Sequence, residues 1–354
     1  MSRFFSEKFS RLTPYVPGEQ PKDMKYVKLN TNESPFPPSE AVVEAAAEAI
    51  RHGELYSDPE CLDVRRALAD RYGVSLDEVI VSNGSDEVLN FAFMAFCDEG
   101  HPAAFPDITY GFYSVFAEAN RIPYRQIPLK DDFTVDPSDY MGIPETVFLA
   151  NPNAPTGIAL PLAAIRAIVD SNPDRVTVVD EAYVDFGGES AVALIRECPN
   201  LLVTGTFSKS RSLAGARLGF AFGARELIRD LDTLRNSTNP YNVNRMTIAA
   251  GAASLAEDER NRKNCAVIVE NREYTAGKLR EMGFILTDSR ANFLFASHPK
   301  LDGGELYRRL KERGILVRHW NGERIRQYVR ITVGSREQMD AFLSAVGTIL
   351  EDEK

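Results

Sequence analysis

The stretch Leu201–Phe220, LLVTGTFSKSRSLAGARLGF, decides how the chain is read. An apolar run, Leu201-Leu202-Val203, leads into Thr206-Phe207-Ser208-Lys209; small residues follow, then Arg217 and a second apolar run. A lysine between a buried strand and a turn rich in Gly, Ala and Ser can be kept partly out of water. That disfavours the ammonium and frees the amine as a nucleophile able to form a Schiff base with a carbonyl. Taken alone, the stretch reads as an ordinary turn whose lysine keeps its charge in solvent, as most lysines do. The outcome depends on what the rest of the chain sets beside it.

Upstream, short apolar runs alternate with helical patterns. Strands are expected at Glu78–Ser82, Ala103–Phe105, Pro123–Pro128, Thr146–Ala150 and Val176–Asp180, with helices at Val88–Cys97, Tyr110–Asn120 and Leu162–Ser171. Ser39 caps an earlier helix running to about His52. This alternation predicts an α/β fold, a mainly parallel sheet covered by helices on both faces. Ligands gather at the carboxyl ends of such strands. The polar turns Asn83–Glu87, Asn151–Gly157 and Asp180–Tyr183 all lie there, as does Lys209. Asn83–Glu87 joins a strand to a helix through Gly84, an arrangement that makes an anion site or a simple helix cap.

After Phe222 the pattern changes to three helices, the last from Asp258 to about Met282, and then a smaller α+β segment. Its strands are expected at Phe284–Thr287, Asn292–Ala296, Ile315–Arg318 and Tyr328–Val333, with helices at Gly304–Arg313 and Arg336–Leu350. The 354 residues exceed one ordinary core. The expected division is an N-terminal arm over 1–38, a large domain over 39–240 and a small C-terminal domain over 241–354 that part of the arm joins.

Composition narrows the function. With 41 Lys and Arg against 51 Asp and Glu, the net charge is −10 and no basic run stands out, which argues against nucleic acid or an anionic membrane as partner. No apolar segment approaches a membrane span, and the N-terminus has no signal-peptide core. Cys61, Cys97, Cys198 and Cys265 are scattered, as are the four histidines, so no metal site is expected. Reduced, mostly buried thiols in a cytoplasmic protein are expected instead. No strand is followed by G-x-G-x-x-G, which excludes a nicotinamide-binding domain.

Asp180 ends the strand VTVVD, Lys209 follows the next apolar run, and Arg217 comes eight residues later. A carboxylate, an amine and a guanidinium on adjacent strand ends match what pyridoxal 5'-phosphate (PLP) needs: a ring nitrogen kept protonated, an aldehyde bound to an amine, and a phosphate held by cations and N–H groups. The ordered motifs LTPYVPG, LNTNESP, LYSDPE, SNGSDE, DITYGFY, NPNAPTG, DEAY, TFSKSRSLAGARLG and VRITVG resemble those of fold-type I PLP-dependent aminotransferases, and among them most resemble the histidinol-phosphate aminotransferases.

That resemblance implies a large PLP-binding domain with a small α+β domain, in a homodimer with shared active sites. It implies that Lys209 carries the cofactor and shuttles the substrate proton, that Asp180 pairs with the ring nitrogen, and that Tyr183 donates to the phenolic oxygen. The phosphate cup would be Gly84, Ser85, Asp86, Ser208 and Arg217, with Tyr56 reaching it from the partner subunit. Tyr110 would stack on the ring or serve as an aromatic core residue. Arg330 would clamp the substrate's anionic end, with Arg318, Tyr15 and Asn32 as further contacts; Arg318 reads equally as a surface arginine at a strand end.

The family often has Asn just before Pro-Thr-Gly, and this chain has Ala154. Tyr183 alone, Asn153 or a water would then serve the phenolic oxygen. The implied reaction is amino transfer between histidinol phosphate and 2-oxoglutarate, giving imidazole-acetol phosphate and glutamate, run in reverse in histidine biosynthesis. An aromatic or other amino-acid aminotransferase, or a threonine-phosphate decarboxylase, would use the same scaffold. A PLP-sensing regulator would need an added DNA-binding module that this chain lacks.

Overall fold

A computed structural model describes residues 2–9 and 12–352. A two-residue strand, β1 (Val27–Lys28), is followed by helices α1 (Glu40–Ala49) and α2 (Leu62–Tyr72). Next come β2 (Val79–Ser82), α3 (Ser85–Phe96), β3 (Ala103–Pro106), α4 (Phe112–Asn120), β4 (Tyr124–Ile127), β5 (Thr146–Ala150) and α5 (Leu162–Ser171). β6 (Thr177–Asp180), β7 (Leu201–Thr206) and β8 (Gly219–Gly223) complete a seven-stranded sheet of order β2-β8-β7-β6-β5-β3-β4. Pairing is parallel except for β8, which runs antiparallel to both β7 and β2.

The expected parallel sheet is present, and the direction of β8 is what the apolar pattern left open. Only a turn containing a short 3₁₀ segment, Ala214–Ala216, links β7 to β8. Without a crossover helix the chain must double back. The alternation within each strand serves two cores. Ile80, Phe148, Val178 and Leu202 pack with α3 and α4 on one face. Val79, Val81, Val179, Leu201 and Val203 pack with α2 and α5 on the other. All nine are at most 3% exposed, and each such side chain contributes roughly 1.5–3 kcal/mol of burial.

Helices α6 (Arg225–Thr238), α7 (Arg245–Ala256) and α8 (Asp258–Glu281) follow; α7 packs on α1 and α2, whereas α8 reaches into the C-terminal part. There β9 (Ile285–Leu286), β10 (Phe293–Ser297), α9 (Gly303–Glu312), β11 (Ile315–Leu316), β12 (Arg318–His319), β13 (Tyr328–Thr332) and α10 (Arg336–Glu351) form the smaller layer. The single strand expected at Ile315–Arg318 is in fact two. β11 pairs with β1 of the N-terminal segment, while β12 joins the antiparallel sheet β12-β13-β10-β9. Val317 between them is 1% exposed, so the chain changes sheets around a buried residue. Ser39 and Ser335 cap α1 and α10 as their spacing predicts, each accepting a backbone N–H three residues on. All four cysteines are free and buried. Among the described residues no helix is long and apolar enough to cross a membrane.

Candidate active site

The carboxyl ends of β2, β5, β6 and β7 open into a cleft of two lobes. The first, about 390 Å3, is lined by Ser85, Asp86, Tyr110, Asp180, Tyr183, Ser208, Lys209 and Arg217 among others. The second, about 330 Å3, is lined by Tyr15, Asn32, Trp320, Arg318 and Arg330 among others. Thr31, Tyr110, Ala154, Tyr183 and Lys209 border both, so the lobes are continuous across the lysine.

Asp180 is the last residue of β6 and only 5% exposed. Its carboxylate accepts from Tyr113 Oη and Thr204 Oγ1, each at 3.2 Å, and has no ion pair among the described residues. Burial, reinforced by the nearby Asp86 charge, pushes its carboxyl up from 3.8 to about 6. Such a group favours a cation above it. Tyr113 and Thr204 escape a motif reading: the only signals are a tyrosine three residues after Tyr110 and a hydroxyl inside an apolar strand.

Lys209 follows β7 and donates from Nζ to the Thr31 carbonyl at 3.1 Å, a backbone contact that side-chain types cannot reveal. Its amine lies 5.9 Å from the Tyr183 ring centroid. Tyr183 is fixed edge-to-face on Phe293, and its Oη accepts from Asn32 Nδ2 at 2.9 Å.

Opposite stands an anion cradle. α3 begins at Ser85, three residues earlier than the apolar pattern suggests, with Gly84 as cap at φ 80° and no side-chain cap bond. Glu87 accepts the Asn83 N–H at 2.7 Å, while the N–H groups of Ser85 and Asp86 have no acceptor among the described residues. Helix N-termini with free N–H groups bind anions. Arg217 donates to Asp86 at 3.0 Å, and Tyr110 Oη to the same carboxylate at 2.6 Å. The Ser208 hydroxyl accepts from Thr206 at 3.0 Å.

The cradle leaves no room for larger residues. A Cβ on Gly219 would lie 2.3 Å from Ser85 N, and one on Gly84 2.5 Å from an Arg217 nitrogen. The residues therefore fit PLP: a cation-seeking carboxylate, an amine and a phosphate-sized cup face one cavity.

In the second lobe β12 and β13 bring Arg318 directly opposite Arg330. Arg330 donates to the Asn30 carbonyl at 3.1 Å, and its buried Nε has no hydrogen-bond partner among the described residues. Arg318 donates to the Val16 and Pro17 carbonyls. Neither has a carboxylate partner among the described residues. Trp320, not singled out in the sequence reading, lies with its ring 5.5 Å from Arg318 and 5.2 Å from Arg330.

Three expected residues lie outside the cleft lining: Gly84, which caps α3, and Asn153 and Tyr56. Asn153 is 4% exposed, and its amide is engaged by Thr109, Thr156 and the Ile108 carbonyl. Tyr56 is 78% exposed and stacks on Tyr241 at 4.4 Å.

Residues 24–346 match the family model "Aminotransferase class I and II". The chain is 48% identical over 353 residues to the histidinol-phosphate aminotransferase of Marinomonas sp. (strain MWYL1), covering 99% of this chain and 100% of that one. It is equally identical, over 351 residues and 99% of both chains, to the histidinol-phosphate aminotransferase of Acetobacter pasteurianus. Among solved structures, the histidinol-phosphate aminotransferase of Sinorhizobium meliloti in complex with pyridoxal-5'-phosphate superposes with a TM-score of 0.91 at 24% identity, over 100% of this chain and 99% of that one; this likeness speaks for the fold. The chain belongs to the class I and II aminotransferase family.

Proposed function

We propose that the protein is a PLP-dependent aminotransferase that exchanges an amino group between histidinol phosphate and 2-oxoglutarate, running from glutamate toward histidinol phosphate in cytoplasmic histidine biosynthesis. The observation that carries it is the buried Asp180 carboxylate, without a cation of its own, facing the same cavity as Lys209 and the cradle at the start of α3. Relatives of that name at near-complete coverage support the choice of substrate.

When bound, PLP supplies an aldehyde for amines and a protonated ring that takes up negative charge from the substrate's Cα. Asp180 would keep the ring proton in place, and Lys209 would hold the aldehyde at rest and, once its amine is free, would be the base that takes the proton from Cα. Tyr183 would donate to the phenolic oxygen, and Tyr110 would cover a ring face. The Ser85 and Asp86 N–H groups, Ser208 and Arg217 hold the phosphate, with Gly84 leaving the approach open. Arg330 and Arg318 present paired guanidinium forks that suit a substrate phosphate and a dicarboxylate alike. One pair thus serves both half-reactions. Tyr15 closes the lobe.

The working unit is a homodimer with shared active sites. Phe4, Val16, Leu55 and Tyr56 are each more than half exposed, apolar surface that a second copy of the chain would cover. Tyr56 then reaches the partner's phosphate cup.

The test is spectroscopic. PLP-loaded protein should show an absorption band in the visible or near-UV that is lost in Lys209→Ala. Histidinol phosphate should convert that band, and 2-oxoglutarate should restore it. Conversion by phenylalanine alone, or by threonine phosphate alone, would refute the substrate assignment. A protein left colourless by PLP would refute the whole reading.

A further inference from the structure

We infer that Asn32 is a positioning residue for Tyr183, supplying by a relay the orientation that an Asn at position 154 would otherwise give directly. The inference rests on the functional reading above and concerns this chain's own residues toward PLP.

Asn32 is 1% exposed and holds a left-handed backbone at φ 58°, a conformation that Asn tolerates better than most residues. Every polar group it owns is engaged. Its N–H donates to Thr332 Oγ1 at 2.9 Å, and the Thr332 hydroxyl donates back to Asn32 Oδ1 at 3.1 Å. Its carbonyl accepts from Asn292 Nδ2 at 2.9 Å, and its own Nδ2 donates to Tyr183 Oη at 2.9 Å. The reciprocal pair with Thr332 fixes which way the amide faces: the hydroxyl that takes the backbone N–H gives its proton to Oδ1, leaving Nδ2 toward the tyrosine.

A phenolic hydroxyl has one proton to give and can accept on oxygen. With an amide N–H donating to Tyr183 Oη, the tyrosine's proton is directed away from Asn32, into the cavity that Lys209 also borders. Accepting one hydrogen bond also strengthens the bond the hydroxyl donates. Ala154 has no donor to offer there, and the Asn153 amide is engaged elsewhere. Asn32 is therefore spent on the tyrosine and on β13, rather than on a direct substrate contact. Thr332 lies two residues beyond Arg330 on the same strand, so the relay spans the PLP-facing and anion-binding halves of the cleft.

The experiment uses full-length, PLP-loaded protein and follows its absorption band from about pH 5 to pH 9. A donor on the phenolic oxygen stabilises negative charge there and lowers the pH midpoint of the band. Asn32→Gly, which suits the left-handed backbone, should raise that midpoint by about one pH unit. Asn32→Asp, nearly isosteric, should raise it at least as far, because its carboxylate captures the tyrosine's proton. Tyr183→Phe should match that rise, and adding Asn32→Gly to it should move the midpoint by less than about 0.2. Ala154→Asn should bring the Asn32→Gly midpoint back toward wild type. Midpoints of both Asn32 variants within about 0.2 of wild type, or rises that add to that of Tyr183→Phe, would overturn the inference. A wild-type protein with no PLP band would overturn the functional reading and this one with it, which separates the two failures.

Discussion

Replacing Asp180 with Asn should stabilise the PLP-free protein above about pH 6 while removing most of its turnover. In the unfolded chain this carboxyl titrates at the ordinary 3.8; in the fold, burial raises it to about 6. Below 3.8 the group is protonated in both states, and wild type and variant differ little. As pH rises through the window from 3.8 to about 6 the folded state holds the extra proton, so wild-type stability falls. Above that window the cost is complete. At about 1.4 kcal/mol per pH unit it amounts to about 3 kcal/mol. Asparagine carries no charge to desolvate, and its amide can use the same Tyr113 and Thr204 hydroxyls.

Urea unfolding of PLP-free wild type and Asp180→Asn, at a series of pH values from about 4 to 8, measures this directly. The variant's advantage should grow from near zero to about 3 kcal/mol across that range. Glu181, pushed by burial to about 8, is present in both proteins; the Asp180 charge is a lesser cause of that rise, so removing it adds to the variant's advantage in the same direction. An advantage that is flat in pH, or a variant weaker at pH 8, would refute the argument. With PLP bound the order should reverse, because wild type regains a cation over its carboxylate. Turnover of the variant should fall on the order of 10²- to 10⁴-fold, since an amide cannot hold the ring proton in place.

Other changes test the remaining parts. Gly219→Ala drives a Cβ into the backbone at Gly84 and Ser85, and should cost about 1–3 kcal/mol in unfolding free energy and weaken PLP binding in an equilibrium titration. Arg330→Lys keeps the charge but loses the fork, so KM for histidinol phosphate should rise at least tenfold, worth about 1.4 kcal/mol, with the PLP spectrum unchanged. Arg318→Lys should act the same way and more weakly, its guanidinium being already tied to two carbonyls. Mixing Lys209→Ala with Tyr56→Ala subunits after mild dissociation should restore activity that neither has alone, because mixed dimers contain one site with both residues intact. No gain on mixing would refute the shared site.

Much of this was legible in the chain. Short β-branched runs ending in Asp180 and Thr206 could only be buried strands, and the turns beyond them had to line one sheet edge; hence Lys209, Asp180, Ser85 and Arg217 share a cavity. What stayed hidden depends on distance and direction. Composition cannot tell that β8 doubles back, and that reversal is what puts Gly219 under the start of α3. Nor can it tell that Ile315–Arg318 divides between two sheets. The amide bonds of Asn32 and Asn153 were equally out of reach, because an Asn in a polar turn has the same letter whether it meets a ligand or the framework. Backbone donors and acceptors, such as the Thr31 carbonyl on Lys209, leave no trace in side-chain type at all.

The division at Val317 has an engineering consequence. Side chains alternate faces along a strand, so a one-residue change in length reverses them. Between Gly314 and Arg318 a single inserted or deleted residue would turn Arg318 off Arg330 without altering the charge of the lobe. Only the exposed stretch 321–323 carries no such register, since Trp320 lies against both arginines, Arg324 is bonded to Asp107 and Ile325 lines the lobe. Libraries meant to retune substrate choice should therefore vary the length of 321–323 and hold the spacing from β11 to β12 fixed.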